Sequence, residues 1–121
     1  MSKGKGKGVK KRKISNMKRL WSIFTDNMRK CIFSKYEDPI DTPYPRIERH
    51  HVFGGAYKLK SEKYGYIAPL LKEYHPNGSE CANNDDWKAT DLWLKQICQK
   101  DYESKHGTRE DFIEEFGRNY L

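Results

Sequence analysis

Residues 46 to 66, RIERHHVFGGAYKLKSEKYGY, bring together two adjacent histidines, a Gly-Gly pair and a basic run rich in tyrosine. Residues 47 to 52 predict a short strand, which Gly54-Gly55 should end because glycine tolerates backbone angles that other residues avoid. Side chains alternate along a strand, so His50 and His51 should point to opposite faces. One imidazole could then bind a metal while the other takes a proton from water, as in metal-assisted hydrolysis. Two solvated or hydrogen-bonded histidines are the alternative.

Residues 64 to 71 predict a second strand, paired with the first as a hairpin across the Gly-Gly loop. Pro69 places that strand at a sheet edge or near its own end. Residues 83 to 86 can cap a helix that begins near Trp87. The helical period then predicts one buried stripe: Trp87, Thr90 or Asp91, Leu94, Ile97 and Cys98.

The remaining segments are predicted from residues that typically end helices, start helices or form loops. Residues 105 to 107 place basic groups and a glycine where that helix should end. Residues 108 to 111 should start a short last helix, which carries Phe112, Ile113 and Phe116. Three prolines in residues 37 to 45 predict a loop. For residues 14 to 28, helix and strand both remain open.

The formal net charge of +7 is concentrated at the start of the 121-residue chain. Nine Lys and Arg residues precede the first acidic residue, Asp26, and subtracting them from +7 leaves −2 for the remainder. Residues 1 to 13 alternate Lys and Gly before a basic cluster, which predicts a disordered tail, and residues 14 to 121 suffice for one domain. The tail suits a nucleic-acid-binding arm that releases counterions from phosphates; a solubilising tract is the alternative.

Cys31, Cys81 and Cys98 are odd in number and lack the paired spacing of a disulfide framework, which indicates a reducing compartment. No stretch approaches the roughly 18 apolar residues of a membrane span, and the N-terminus lacks the apolar run of a signal peptide. A folded cytoplasmic protein without a membrane partner is therefore predicted. Tyr64 and Tyr66 are expected in its core.

Several separated blocks of the chain occur in an order typical of one family. They are residues 48 to 56 (ERHHVFGGA), 60 to 65 (KSEKYG), 94 to 96 (LKQ) with Gln99, 107 to 113 (GTREDFI) and 116 to 121 (FGRNYL). Together they resemble the small HNH endonucleases of bacteriophages and prophages. The resemblance implies an α+β fold, the ββα-metal (His-Me) finger, with a C-terminal helical extension. It also implies a phage- or prophage-encoded enzyme that hydrolyses DNA phosphodiester bonds in a bacterial host cell.

Carried onto this sequence, the resemblance implies His51 as the general base and His50 as a metal ligand beside it. The second ligand would lie near the start of the following helix. Ungapped counting back from the later motif gives Asp85, whereas similarity of residue type favours Asn83 or Asn84. Any of these offers oxygen to a hard divalent ion such as Mg²⁺ or Mn²⁺.

Basic residues in two places are expected to contact the DNA. They are Lys10, Lys11, Arg12 and Lys13 in the tail, and Arg49, Lys58 and Lys60 around the Gly-Gly loop. Tyr57 and His75 are candidate supporting residues of the site.

The chain departs from the family pattern at three positions. Tyr57 stands where asparagine is more usual, and a lost supporting contact of that kind can weaken activity by roughly 10- to 100-fold. Position 34 is Ser and position 71 is Leu where a zinc knuckle would carry cysteines. With only Cys31 and His75 left, structural zinc is not expected, and Cys31 should be a small buried hydrophobe. The alternative function is a DNA-binding module of the same fold with weakened or lost catalysis.

Overall fold

The computed structural model describes residues 20 to 74 and 85 to 121, and these form an α+β fold. The elements are β1 (Ile47–His51), α1 (Lys58–Tyr64), β2 (Ile67–Leu71), α2 (Asp85–Lys105) and α3 (Arg109–Phe116). Short 3-10 turns span Gly55–Tyr57 and Lys72–Tyr74. The succession of β1, β2 and α2 is compatible with a small ββα fold. The predicted basic tail and the predicted turn at residues 76 to 79 lie outside the described residues.

The two strands form an antiparallel pair whose register sets His50 opposite Ala68 and His51 opposite Ile67. β2 is buried along its whole length, whereas β1 is buried only at Ile47 and His50. Both predicted strands are confirmed, although β2 begins at Ile67 rather than at residue 64. Pro69 lies inside β2, where it has no amide to donate, and its carbonyl accepts a hydrogen bond from the Ile32 amide at 3.1 Å.

The two consecutive strands pair antiparallel, as predicted for a hairpin, but their connection is helical rather than a Gly-Gly loop. The buried Ser61 hydroxyl of α1 accepts a hydrogen bond from the Phe53 amide (3.1 Å) and donates one to the Phe53 carbonyl (2.8 Å). The Ser61 carbonyl accepts from the Tyr66 amide at 2.8 Å. Gly65 ends α1 with a left-handed φ of 77°. These bonds give partners to the backbone groups that leave β1 and enter β2, which favours a folded connection over an open loop.

The stripe predicted on α2 is confirmed at Leu94 and Cys98, which are fully buried, while Ile97 is only half-buried. Tyr102 continues the stripe one turn further and is also buried. α2 ends at Lys105, as predicted, and the amides of the next two residues donate to the Tyr102 carbonyl. No helix in the two described ranges is long and apolar enough to cross a lipid bilayer.

Phe53, just after β1, lies within the main hydrophobic core. Its ring contacts those of Tyr66, Phe112, Phe116 and Tyr120 at centroid distances between 4.5 and 6.0 Å. Because each of these rings buries a large apolar area, a small domain gains a core from few residues. Tyr64 and Tyr66 are both buried in this core, as predicted.

The start of α3 follows the predicted capping pattern. Thr108 Oγ1 accepts a hydrogen bond from the Asp111 amide (3.1 Å), and the Asp111 carboxylate accepts one from the Thr108 amide (2.9 Å). Phe112 and Phe116 are buried, whereas Ile113 is exposed. Gly117 ends the helix in a left-handed conformation.

The segment before β1 is irregular but anchored. Residues 20 to 28 form neither helix nor strand, and residues 37 to 45 form the predicted loop. The buried Asp38 carboxylate accepts hydrogen bonds from the Tyr36 hydroxyl and from the amides of Arg46 and Ile47, at 2.9 to 3.0 Å. These three bonds fix the direction in which the chain enters β1.

Cys31 is a small buried hydrophobe, as predicted. It is 1% exposed and packs in a cluster with Ile47 and Leu71, against which Tyr36 lies. Leu71, at the position of an expected zinc-knuckle cysteine, therefore makes an apolar contact with the remaining cysteine.

Candidate functional site

The end of β1, the turn before α1 and one face of α2 border a cleft of about 580 Å³. Six polar side chains line it: Arg49, His50, His51, Lys58, Asp91 and Lys95. Histidines from β1 thus meet a carboxylate and an amine from α2, which lies some forty residues later in the chain.

His51 is held by a carboxylate of α1. Its Nε2 lies 2.8 Å from Oε2 of Glu62, and both side chains are partly buried. Because an ionised carboxylate only accepts hydrogen bonds, Nε2 is the ring nitrogen that donates. In the neutral ring Nδ1 is then the basic nitrogen. The hydrogen bond to Glu62 thus fixes the orientation of the His51 ring at the edge of the cleft.

His50 faces α2. The residue is 8% exposed, and its ring meets the Trp87 ring edge to face at a centroid distance of 5.4 Å. His50 Nε2 lies 3.9 Å from Oδ1 of Asp91. The two neighbouring side chains therefore point to different sides of β1, as predicted, since His50 contacts α2 and His51 contacts α1 while both border the cleft.

Asp91 is the acidic group at the centre of this arrangement. Its Oδ2 forms an ion pair with Lys95 one turn further along α2. Burial acts to raise the pKa of Asp91, but the neighbouring His50 ring and the ion pair with Lys95 outweigh it and hold that pKa below its ordinary value. Asp91 is therefore a carboxylate at neutral pH.

His50 and Asp91 offer an imidazole nitrogen and carboxylate oxygens, which are donor types that bind divalent cations. Within residues 20 to 74 and 85 to 121 there is no group of three or more His, Cys, Asp or Glu that could hold a metal ion. Mg²⁺ is nonetheless commonly held by one or two protein groups, with water and phosphate oxygens completing its shell. Asn83, Asn84 and His75 lie outside the described residues, and Asp85 is the first residue of α2 with its side chain outside them.

The predicted basic residues fall into different places. Arg49 and Lys58 line the cleft beside the histidines. Lys60 does not, because its ammonium donates to the Glu115 carbonyl at 2.9 Å and lies over the Tyr57 ring. Lys10, Lys11, Arg12 and Lys13 are outside the described residues.

Tyr57, a candidate supporting residue of the site, packs elsewhere. Its ring lies against Phe116, with centroids 6.2 Å apart, and its hydroxyl reaches Gly117. The described contacts of Tyr57 thus belong to the core and to the end of α3.

Three side chains of the site were missed from the sequence. Asp91 and Lys95 are four residues apart, a spacing that does signal a helical ion pair but does not reveal which groups face it. Glu62 lies eleven residues after His51, within a helix (α1) that was not predicted, so no local pattern pointed to it.

No protein-family model matches the chain, and neither a curated protein nor a solved structure matches it.

Proposed function

We propose that the protein is a metal-dependent endonuclease of the HNH type, which hydrolyses DNA phosphodiester bonds in a bacterial host cell. The observation that carries the proposal is the meeting of His50, His51 and Asp91 in one cleft with the cations Arg49 and Lys58. In this proposal β1, β2 and α2 are the elements of a ββα-metal finger.

His51 acts as the general base. As a water oxygen attacks phosphorus, Nδ1 takes a proton from that water, and the opposite P–O bond breaks. The leaving oxygen gains its proton from solvent. Glu62 fixes the ring through Nε2 at 2.8 Å and stabilises the imidazolium that forms.

His50 and Asp91 would hold a divalent cation such as Mg²⁺ or Mn²⁺, which supplies positive charge to the scissile phosphate and the leaving oxygen. Arg49 and Lys58 contribute fixed positive charge on the same cleft, which attracts the DNA backbone and orients it. The basic residues 1 to 13 would extend this attraction along the DNA.

The test is nicking of supercoiled plasmid by the purified full-length chain in the presence of Mg²⁺ or Mn²⁺. His51→Ala should reduce nicking by at least about 100-fold, because general-base catalysis contributes roughly that much or more. His106→Ala is the matched control, since His106 packs on Tyr64 and lies outside the cleft. Metal-independent nicking, or equal loss in both variants, would count against the proposal.

A second candidate function is a DNA-binding module without efficient catalysis. It is favoured by the ion pair between Asp91 and Lys95, which places a protein cation on the carboxylate that a metal would use. This function requires intact plasmid, together with salt-sensitive DNA binding that survives His51→Ala and falls when residues 1 to 13 are removed.

A further inference from the structure

The two carboxylate oxygens of Asp91 face two different groups. Oδ1 lies 3.9 Å from His50 Nε2, and Oδ2 pairs with the Lys95 ammonium. Both the Asp91 and the Lys95 side chain are largely buried at the cleft wall, with 27% and 20% exposed. The ammonium therefore neutralises Asp91 where solvent screening is reduced.

Lys95 also has a second neighbour that suits a cation. Its Nζ lies 5.8 Å from the centroid of the Tyr120 ring. Tyr120 is fixed in place, because its carbonyl accepts from the Gln96 amide group (2.9 Å) and its amide donates to the Gln99 side chain (2.7 Å). An aromatic face at this distance attracts an ammonium group. The Lys95 ammonium thus contacts the Asp91 carboxylate and the Tyr120 ring face at the same time.

We propose that Lys95 is a built-in competitor for the cation site at His50 and Asp91, and that a divalent cation binds there by displacing its ammonium toward Tyr120. The proposal rests on the proposed nuclease function in taking this pair as the metal site. It adds that the chain sets its own metal affinity through one lysine. A positive charge within a few ångströms of the incoming ion opposes its binding, so removing that charge tightens binding.

The experiment measures Mn²⁺ binding to the full-length chain without DNA, from the loss of the free Mn²⁺ signal in electron paramagnetic resonance. Lys95→Gln and Lys95→Met remove the charge in two different ways, and Lys95→Arg retains it. The matched control is Lys105→Gln, which removes the same charge from an i,i+4 pair with Asp101 on the same helix. Asp91→Asn tests the carboxylate itself.

The neutral Lys95 variants should bind Mn²⁺ about 5- to 50-fold more tightly than the wild-type chain. Lys95→Arg and Lys105→Gln should stay within about twofold of it, and Asp91→Asn should lose most binding. The proposal is overturned if both neutral variants match Lys105→Gln, if Asp91→Asn binds as well as wild type, or if no variant binds Mn²⁺.

The result separates this proposal from the nuclease function. If the neutral variants bind Mn²⁺ more tightly but plasmid stays intact, the result would support competition between Lys95 and the cation and would rule out the nuclease function. If nicking is metal-dependent but the Lys95 and Lys105 variants bind Mn²⁺ equally well, the nuclease function would stand and only the proposed competition by Lys95 would be ruled out.

Discussion

At the scale of single residues, Glu62 is the group placed to orient His51, the proposed general base. Glu62→Gln keeps the shape of the side chain but removes the negative charge 2.8 Å from Nε2. We expect the maximal nicking rate to fall about 10- to 100-fold with DNA affinity unchanged. Glu73→Gln is the control, since Glu73 forms an exposed pair with Arg46 away from the cleft. Equal rates for the two variants would show that Glu62 does not position the base.

Asp38 is the residue whose charge most directly fixes β1. Burial acts to raise the pKa of Asp38, but hydrogen bonds from the Arg46 and Ile47 amides and the Tyr36 hydroxyl outweigh it and lower that pKa. The stabilisation is therefore complete above the ordinary pKa of an aspartate and is lost as pH falls through the lower pKa of the folded chain.

Asp38→Asn should consequently lower the free energy of unfolding by about 1 to 3 kcal/mol at neutral pH, because one amide nitrogen replaces an accepting oxygen. The difference from wild type should shrink as the solution is acidified through the lowered pKa of the folded Asp38 carboxyl, because the wild-type group then also becomes neutral. Urea unfolding at neutral pH and across an acid series measures this. A difference that does not change with pH would mean that the charge of Asp38 is not what stabilises β1.

At the scale of elements, local rules predicted the ends of helices better than the connection between the strands. β1, the end of α2 and the capping box of α3 were found because their signals lie within a few residues. α1 was missed because the Gly-Gly pair indicates a loop, while the bonds that stabilise the helical connection join Ser61 to the distant Phe53 backbone. Local propensity does not contain such tertiary contacts.

Gly65 shows why the connection has the shape it has. It ends α1 at a φ of 77°, and a Cβ there would lie 2.7 Å from the Trp21 ring. Gly65→Ala should lower the free energy of unfolding by about 1 to 3 kcal/mol, since it adds backbone strain to that close contact. Gly54→Ala is the control, because Gly54 is extended and a Cβ there meets nothing within 4 Å. Thermal or urea unfolding that ranks the two variants alike would contradict this account.

At the scale of the whole molecule, some residues of the site could be predicted from the sequence and others could not. His50, His51, Arg49 and Lys58 lie within ten residues, so the sequence shows them as one basic, histidine-bearing segment. Asp91 joins them through the packing of α2, whose Trp87 ring lies against His50. That packing depends on the register of the buried stripe of α2. The periodic spacing of apolar residues predicts which face of a helix is buried, but it does not predict which element packs against that face.

Tyr120 connects the end of the described chain to both the core and the cleft. Its ring packs on Phe53, with centroids 5.6 Å apart, while Gln99 holds its amide. Tyr120→Ala should lower the free energy of unfolding by about 2 to 4 kcal/mol, because it leaves a cavity beside Phe53. Tyr120→Phe, which keeps the ring, should cost less than about 1.5 kcal/mol. Unfolding followed by both tryptophan fluorescence and helical circular dichroism should give one coincident transition in each variant. If Tyr120→Ala shifted only one of the two signals, the end of the chain would be a separate unit rather than part of the single core.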